Sequence, residues 1–326
     1  MIKRLIVAVC VSLLIMTLGG CLLSSKDYLS YEELSTGSEY AMDNRLTQAD
    51  FFSKDLVIIT DEENNGSDAQ LTSGSSLLVN VSDQKIVYAD NVYHRLYPAS
   101  LTKLMTALVV LQYGELTDSV TVSYDASHIT EGGAKLCGFL EGDVISMEAL
   151  LKSLLIYSGN DAAIAIADHV AGTEEEFVVL MNEEARKIGA VHTHFMNSNG
   201  LHDDDQYTTA YDIYLIFNEL MKFETFRSII GSSSYTAVYK DKDENPVEKT
   251  FQATNAYLSS EASPPEGIEI VGGKTGTTRK AGNCLVLLSK DASEKEFISV
   301  ILNAPNKETL YSQMTHLLSL TNAEHP

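Results

Sequence analysis

Positive charge is scarce in this sequence. Its 326 residues include 23 Lys and Arg against 45 Asp and Glu, which gives a formal net charge of -22 at pH 7. Binding to nucleic acid requires a basic surface that neutralises phosphates, and this composition argues against one. The length suits one large domain or two modest ones, and the apolar content is typical of a globular protein. We therefore expect no nucleic-acid partner.

Cysteine is also scarce, and its positions argue against a cysteine-based metal site. The four cysteines are Cys10, Cys21, Cys137 and Cys284. They do not show the close spacing that zinc sites use. Cys10 and Cys21 lie in the N-terminal leader, whereas Cys137 and Cys284 could pair or stay free.

The apolar run at the N-terminus is too short to span a membrane comfortably. It covers residues 5–18 and follows Lys3 and Arg4, the pattern of a secretory leader. The run ends on Leu18-Gly19-Gly20-Cys21, which resembles the lipobox of bacterial lipoproteins, where the cysteine receives lipid and becomes the new N-terminus. The alternative is an ordinary signal peptide cut nearby. We expect residues 1–20 to be a lipoprotein signal peptide, and Cys21 to anchor the protein to the outer face of a bacterial membrane.

The rest of the chain divides into a spacer and a folded domain. Residues 21–50 are polar and acidic without a sustained hydrophobic period, which predicts a flexible spacer. Residues 51–326 carry the periodic patterns of helices and strands. Strands are predicted at 56–60, 77–81, 85–88, 284–288 and 297–302, and helices at 98–113, 146–156, 162–170, 307–320 and after Thr173 and Thr209.

The helix at 98–113 is apolar around most of its circumference, which predicts a central, buried helix. Ser100 and Lys103 lie three residues apart near its start and share a face. A buried helix does not normally place a lysine on its inner face without a partner. Ser82 and Lys85 show the same Ser-x-x-Lys spacing, but they flank a hairpin turn instead of opening an apolar helix.

Two further segments combine small residues with hydroxyl, amide or amino groups. Ser158-Gly159-Asn160 separates two predicted buried helices, so it is either a simple linking turn or a loop that presents a hydroxyl and an amide. Residues 268–270 predict a strand, and Gly272-Gly273-Lys274-Thr275-Gly276-Thr277 follows. Glycines at a strand edge let another backbone approach closely, and the lysine and threonines would face an extended, anionic peptide. The alternative is a Gly-rich turn with a solvated lysine.

Two other groups of polar residues favour structural interpretations. The run Glu174-Glu175-Glu176 follows Thr173 in a capping box, so we expect a solvated helix end. His192, His194 and His202 have no acidic or cysteine ligand at regular spacing, which favours solvated loop histidines over a metal site.

Together, Ser100-Leu101-Thr102-Lys103, Ser158-Gly159-Asn160 and Lys274-Thr275-Gly276 resemble the active-site set of penicillin-binding proteins and serine β-lactamases. Longer stretches within residues 75–326 are similar to low-molecular-weight D-alanyl-D-alanine carboxypeptidases. The resemblance implies an α+β fold with an antiparallel sheet flanked by helices, beside an all-helical subdomain that holds the Ser-Gly-Asn loop.

The resemblance also implies residue roles. Ser100 would be the nucleophile, Lys103 its base, and Ser158 a proton relay to the leaving amine. Asn160, Lys274, Thr275, Gly276 and Thr277 would bind a peptidoglycan stem peptide that ends in D-Ala-D-Ala. β-Lactams would act as covalent inhibitors, and no metal or cofactor is required.

The sequence departs from the family pattern in places. The segment at 197–201 lacks the proline that often follows Asn197, a difference expected to affect a loop and not the chemistry. No Glu-x-x-Leu-Asn segment occurs, so the deacylating glutamate of class A β-lactamases has no candidate. Ser-Gly-Asn in place of Ser-Asp-Asn also favours the peptidases.

Other functions would use the same residues. A β-lactamase or transpeptidase would differ in its acyl acceptor, and a non-catalytic β-lactam sensor or wall-binding protein would keep the fold without turnover. Release of D-Ala from a D-Ala-D-Ala peptide would distinguish these alternatives.

Overall fold

The computed structural model describes residues 56–321. The predicted signal peptide at 1–20, the spacer at 21–50 and Cys21 lie outside the described residues. The strands are β1 Ser75–Asn80, β2 Lys85–Asp90, β3 Ser119–Thr121, β4 Val144–Ser146, β5 Ser234–Lys240, β6 Pro246–Gln252, β7 Glu269–Thr278, β8 Gly282–Lys290 and β9 Glu296–Ala304. The α-helices are α1 Thr102–Tyr113, α2 Tyr124–Ser127, α3 Met147–Lys152, α4 Asn160–Ala171, α5 Glu174–Lys187, α6 Ala210–Leu220, α7 Glu224–Ile230 and α8 Lys307–Ser319.

A five-stranded antiparallel sheet in the order β2-β1-β9-β8-β7 forms the framework. Successive side chains of a strand point to opposite faces, so the sheet supports two cores. Leu77 and Val79 of β1 belong to the core that contains α1 and α6, whereas Leu78 belongs to the core with α8. The sheet is therefore covered by helices on both faces, which confirms the predicted α+β class.

The helical region also contains a second sheet, which the sequence patterns do not predict. Its four strands follow the order β3-β4-β5-β6 and are antiparallel. β3 and β4 have three residues each, too few to show a strand period. β6 packs against the segment that ends at Tyr157, where the Tyr157 and Phe251 rings lie 4.9 Å apart between centroids.

The strand predicted at 56–60 is wrong. These residues form no strand, and Ile58 is 69% exposed. Tyrosine hydroxyls satisfy the backbone instead: Tyr214 Oη accepts from the Val57 N–H, and Tyr211 Oη donates to the Val57 carbonyl. A buried backbone group needs a hydrogen-bond partner, but that partner need not be another strand. The apolar composition of residues 56–60 therefore did not determine that they form a strand.

Most other predicted elements are confirmed. The predicted hairpin is β1 and β2, and the predicted strands at 284–288 and 297–302 are β8 and β9. The helix predicted after Thr209 is α6, and Thr209 Oγ1 caps it by accepting from the Asp212 N–H at 3.0 Å. The helix predicted at 146–156 is α3, which continues as a π-helix over Ser153–Tyr157. Within residues 56–321, no helix is both long and apolar enough to cross a bilayer.

The two cysteines of the described chain are both free and buried. Cys284 lies on β8 in the central sheet, and Cys137 lies in a loop before β4. A Cβ on Gly159 would come within 2.3 Å of Cys137 Sγ, so only a glycine lets the two segments approach this closely.

A buried carboxylate holds this loop in place. Asp161 is only 2% exposed, and its oxygens accept the backbone N–H groups of Cys137, Gly138 and Phe139 at 2.9, 2.7 and 3.2 Å. The loop in turn offers the Lys135 carbonyl to the N–H of Asn160 at 2.8 Å. Asp161 thus fixes the loop against the first turn of α4.

We expect Asp161→Ala to lower the free energy of unfolding by roughly 3 kcal/mol, because each buried donor left unpaired costs about 1–3 kcal/mol and the loop can relax only in part. Urea denaturation of the purified protein measures this loss. The matched control is Asp243→Ala, whose side chain is exposed in the β5–β6 turn; it should change stability by less than about 0.5 kcal/mol. Equal stability of the two variants would contradict the anchoring role.

Candidate active site

The start of the central helix presents Ser100 and Lys103. Ser100 lies in a single 3-10 turn, Ala99–Leu101, that leads directly into α1. Ala99 has a φ of 48°, in the left-handed region that non-glycine residues rarely occupy and that functional sites often retain. Lys103 Nζ lies 3.2 Å from Ser100 Oγ, which is within hydrogen-bond reach.

Lys103 is completely buried, and its amino group has three oxygen partners. Besides Ser100, they are Asn160 Oδ1 at 2.6 Å and the carbonyl of Asn199. Burial disfavours the charged ammonium and lowers the pKa of Lys103 from its ordinary value to about 7. A large fraction of Lys103 is therefore neutral at neutral pH and can accept a proton from Ser100.

Ser158-Gly159-Asn160 follows the π-helix Ser153–Tyr157 and begins α4. A π-bulge often marks a functional site because it redirects the residues that follow it. Ser158 adopts the left-handed conformation, with φ 73°, and is 5% exposed. The turn brings the Ser158 hydroxyl to Lys274 Nζ and the Asn160 side-chain oxygen to Lys103 Nζ.

The Lys-Thr-Gly segment lies within strand β7, at the edge of the five-stranded sheet. Lys274 is buried, and its Nζ donates to Ser158 Oγ at 2.8 Å. Burial is the main cause that holds the pKa of Lys274 well below its usual value, and the nearby Lys103 lowers it further. The alternation that predicts a strand covers only residues 268–270, whereas β7 continues through Thr278.

The threonines of β7 face the open side of the site. Thr275 Oγ1 donates to Thr254 Oγ1 at 2.6 Å, and the exposed Thr277 donates to Asn283 Oδ1 at 3.1 Å. A Cβ on Gly276 would lie 3.1 Å from the backbone nitrogen of Ser100. Glycine at this position lets the strand pass directly against the start of the helix.

The structure thus brings together the residues of all three motifs: Ser100, Lys103, Ser158, Asn160, Lys274, Thr275, Gly276 and Thr277. Ser100 lies where two clefts meet, one of about 780 Å³ and one of about 360 Å³. The larger cleft continues toward Asn199 and Glu174, and the smaller one runs along β7 toward Tyr311. The site combines the hydroxyl of Ser100, the amine of Lys103 with a pKa of about 7, and the accessible edge of β7. These groups are what acyl transfer through a covalent intermediate requires.

Several residues of the clefts were not predicted from the sequence. Lys135 lines both clefts, and its Nζ lies 4.1 Å from the centroid of the Tyr157 ring. No local pattern distinguished Lys135 from other loop lysines.

Glu174 was interpreted as part of a solvated helix end, but it is half-buried and accepts hydrogen bonds from Ser198, so that interpretation is wrong for this residue.

The second Ser-x-x-Lys match lies on a surface hairpin. Ser82 Oγ accepts the N–H of Glu296 and takes no part in either cleft.

Of the histidines, His202 lies at the rim of the larger cleft, with Nε2 3.1 Å from an Asp204 oxygen. Within residues 56–321, no three His, Cys, Asp or Glu side chains converge as metal ligands would.

Comparison with known proteins identifies relatives both in sequence and in fold. The sequence pattern of the D-alanyl-D-alanine carboxypeptidase family matches residues 62–306. The D-alanyl-D-alanine carboxypeptidase DacF of Bacillus subtilis is 32% identical over 257 residues, which cover 77% of this chain and 62% of that protein. DacC of Escherichia coli is 34% identical over 251 residues, covering 74% of this chain and 59% of DacC.

The chain thus spans about 60% of the length of these two curated relatives. The crystal structure of a Streptomyces DD-transpeptidase superposes with a TM-score of 0.73 at 27% identity, and covers 79% of this chain and 99% of that one. The family match extends over most of the residues that form the sheet, the helices and the clefts. This chain belongs to the D-alanyl-D-alanine carboxypeptidase family of serine peptidases.

Proposed function

We propose that this protein is a serine-type carboxypeptidase that removes the terminal D-Ala from peptidoglycan stem peptides through an acyl-enzyme on Ser100. One observation carries the proposal: Lys103 Nζ lies 3.2 Å from Ser100 Oγ in a fully buried position. A serine hydroxyl is a weak nucleophile unless an adjacent base removes its proton. The neutral amine of Lys103 supplies that base without a histidine.

Acylation begins when Lys103 takes the Ser100 proton and Ser100 Oγ attacks the carbonyl carbon of the D-Ala-D-Ala bond. The oxyanion that forms is held by the backbone N–H groups of Ser100 and Thr277. Support for this pairing comes from Gly276, which brings β7 to the helix start. Preorganised donors of this kind usually supply the largest single contribution to catalysis.

The carbon–nitrogen bond then breaks, and the leaving D-Ala amine takes up the proton that Ser100 lost. Ser158 is the proposed relay: its oxygen accepts from Lys274 Nζ at 2.8 Å, so its own hydroxyl proton can pass to the amine, and the proton held by Lys103 restores the Ser158 hydroxyl. Water subsequently attacks the acyl-enzyme, with Lys103 again as the base. This step regenerates the Ser100 hydroxyl and releases the shortened peptide.

The proposed substrate lies along β7 as an added strand. An edge strand offers its backbone N–H and C=O groups to an extended peptide, and alternate side chains then provide specificity. Lys274, Thr275 and Thr277 would face the terminal carboxylate, and the Asn160 amide would hydrogen-bond the peptide backbone. β-Lactams would enter the same cleft and acylate Ser100, because the lactam amide replaces the D-Ala-D-Ala bond.

Export and lipid anchoring are proposed from the N-terminal sequence. Leu18-Gly19-Gly20-Cys21 ends the apolar leader, and the acidic spacer at 21–50 would hold the catalytic domain away from the outer face of the membrane. A peptidoglycan substrate also requires a location outside the cytoplasm. Stable anchoring takes two or more acyl chains, because one chain binds only reversibly.

Cys21→Ala should move the protein from the membrane fraction to a soluble or unprocessed form, since the cysteine is the acceptor of the lipid. Cell fractionation and mass spectrometry of the mature N-terminus measure this. The matched control is Cys10→Ala, which alters a leader cysteine inside the apolar run and should leave the anchor intact. A mature N-terminus at any residue other than Cys21 would refute the proposal.

The activity is tested by incubating the purified mature protein with a peptide that ends in D-Ala-D-Ala and measuring free D-Ala. We expect D-Ala release that Ser100→Ala abolishes, because no other side chain replaces the attacking oxygen. Ser82→Ala is the matched control, since it alters the other Ser-x-x-Lys serine, and it should retain activity. Hydrolysis of nitrocefin by the same preparation should be far slower than D-Ala release.

Two outcomes would favour the alternative functions. Fast nitrocefin turnover without D-Ala release would indicate a β-lactamase. Labelling of Ser100 by a fluorescent penicillin, without D-Ala release and without nitrocefin hydrolysis, would indicate a sensor. D-Ala release by a correctly folded Ser100→Ala protein would refute the assignment of the nucleophile.

A further inference from the structure

Glu174, the first residue of α5, contacts the loop that contains Ser198 and Asn199. Glu174 Oε1 accepts the Ser198 backbone N–H at 2.8 Å and the Ser198 hydroxyl at 2.5 Å. The Asn199 side-chain amide lies 3.5 Å from the same oxygen. Hydrogen bonds to a charged acceptor are roughly twice as strong as neutral ones, so one carboxylate clamps two consecutive residues of the loop.

The clamped loop is the one that contacts Lys103. The Asn199 carbonyl accepts a hydrogen bond from Lys103 Nζ. The preceding carbonyl, that of Ser198, accepts from Thr106 Oγ1 at 2.5 Å, and Thr106 lies one turn after Lys103 on α1. Any shift of Ser198 would therefore move an oxygen that orients the amine of Lys103.

The loop is also pressed against the residue that precedes Ser100. Gly200 has a φ of 86°, and a Cβ there would come within 2.1 Å of the Ala99 carbonyl oxygen. No larger residue fits at that distance without moving the backbone. The loop thus contacts both the segment that carries the proposed nucleophile and the side chain of the proposed base.

Charged and titratable groups surround Lys103 on several elements. They are Cys137 and Lys135 of the loop before β4, Asp161 of α4, Glu174 of α5 and Lys274 of β7. The negative charge of Glu174 favours the ammonium form and so raises the pKa of Lys103, against the larger lowering caused by burial. Glu174 lines the larger cleft, whereas Asp161 is buried and accepts hydrogen bonds from four backbone N–H groups.

We propose that Glu174 is a positioning residue: by clamping Ser198, it holds the Asn199 carbonyl against Lys103 and thereby orients the base toward Ser100. The inference rests on the proposed function, because it requires that Lys103 accepts the Ser100 proton. Glu174 acts through the loop and does not contact the reacting atoms. Its contribution is to the geometry of the pair and to the charge around Lys103.

The experiment compares the rate of Ser100 acylation by a fluorescent penicillin across pH 5 to 9 in the mature protein and its variants. Since neutral Lys103 is the base, the rate rises with pH through the pKa of Lys103, about 7. Glu174→Gln keeps an oxygen acceptor for Ser198 but removes the charge, which lowers the pKa of Lys103. We expect the rising part of its pH–rate curve, the acid limb, to move to lower pH. The maximal rate at high pH, the plateau, should stay within a few-fold of the wild type.

Glu174→Ala removes the clamp as well as the charge. We expect its plateau rate to fall on the order of 10²-fold, the loss that a displacement of about 1 Å in a reacting group produces. The matched control is Glu175→Gln, which removes a neighbouring charge from the same helix turn at an exposed position. Its rate and its acid limb should equal those of the wild type.

The outcomes separate this inference from the proposed function. If the wild type is not labelled, or if Ser100→Ala is labelled, the proposed function fails. If the wild type is labelled and both Glu174 variants reproduce its plateau and its acid limb, the positioning role is overturned. Should Glu174→Ala fail to fold, Ser198→Ala takes its place, because it removes the hydroxyl that donates to Glu174. A plateau rate equal to that of the wild type would then overturn the inference.

Discussion

The structure depends on the complete burial of one amino group. Lys103 lies on the inner face of an apolar helix, and an ammonium there is costly unless it is neutralised or paired. The oxygens of Ser100, Asn160 and Asn199 satisfy its hydrogen-bonding capacity, although none of them carries a full negative charge. Burial favours the neutral amine over the ammonium and so lowers the pKa of Lys103. The two N–H groups of the amine can donate to Asn160 and Asn199, which leaves its lone pair for the Ser100 hydroxyl.

The surrounding elements are arranged to bring these oxygens to a single nitrogen. They come from the helix start at Ser100, from the turn after the π-helix and from the loop that Glu174 clamps. Ala99, which precedes Ser100, and Ser158, which belongs to the site, hold left-handed backbone conformations. Such conformations cost on the order of 1 kcal/mol each, and they persist only where packing enforces them. The sheets and the buried Asp161 carboxylate provide that packing.

Much of the fold could be predicted from the sequence because its signals are local, whereas the candidate site residues were predicted from the joint resemblance of three motifs. The helix that begins near Ser100 is a continuous apolar run of helical length, and the alternation at 268–270 predicts the start of β7. The strand predicted at 56–60 failed because tyrosine hydroxyls from α6, more than 150 residues away, replace strand partners. The short strands β3 and β4 were missed because three residues do not define a period.

Glu174 shows most clearly why the rest of the site was not predictable. Thr173 and Glu176 form the same local cap whether or not the intervening glutamate has a distant partner. The contact that matters joins Glu174 to Ser198, and only the tertiary structure brings them together. Lys135 was missed for the same reason, since its position over the Tyr157 ring depends on how Asp161 folds its loop.

The most direct test of this account is the titration of the Lys103 amino group itself. Lysine labelled with 15N at Nζ or with 13C at Cε allows NMR to follow each side chain with pH, and the Lys103 signal is identified by its loss in Lys103→Met. The account predicts a midpoint near 7 in the substrate-free protein. A midpoint near the ordinary value for lysine, about 10.4, would contradict it, because Lys103 would then be charged at neutral pH and unable to accept the Ser100 proton.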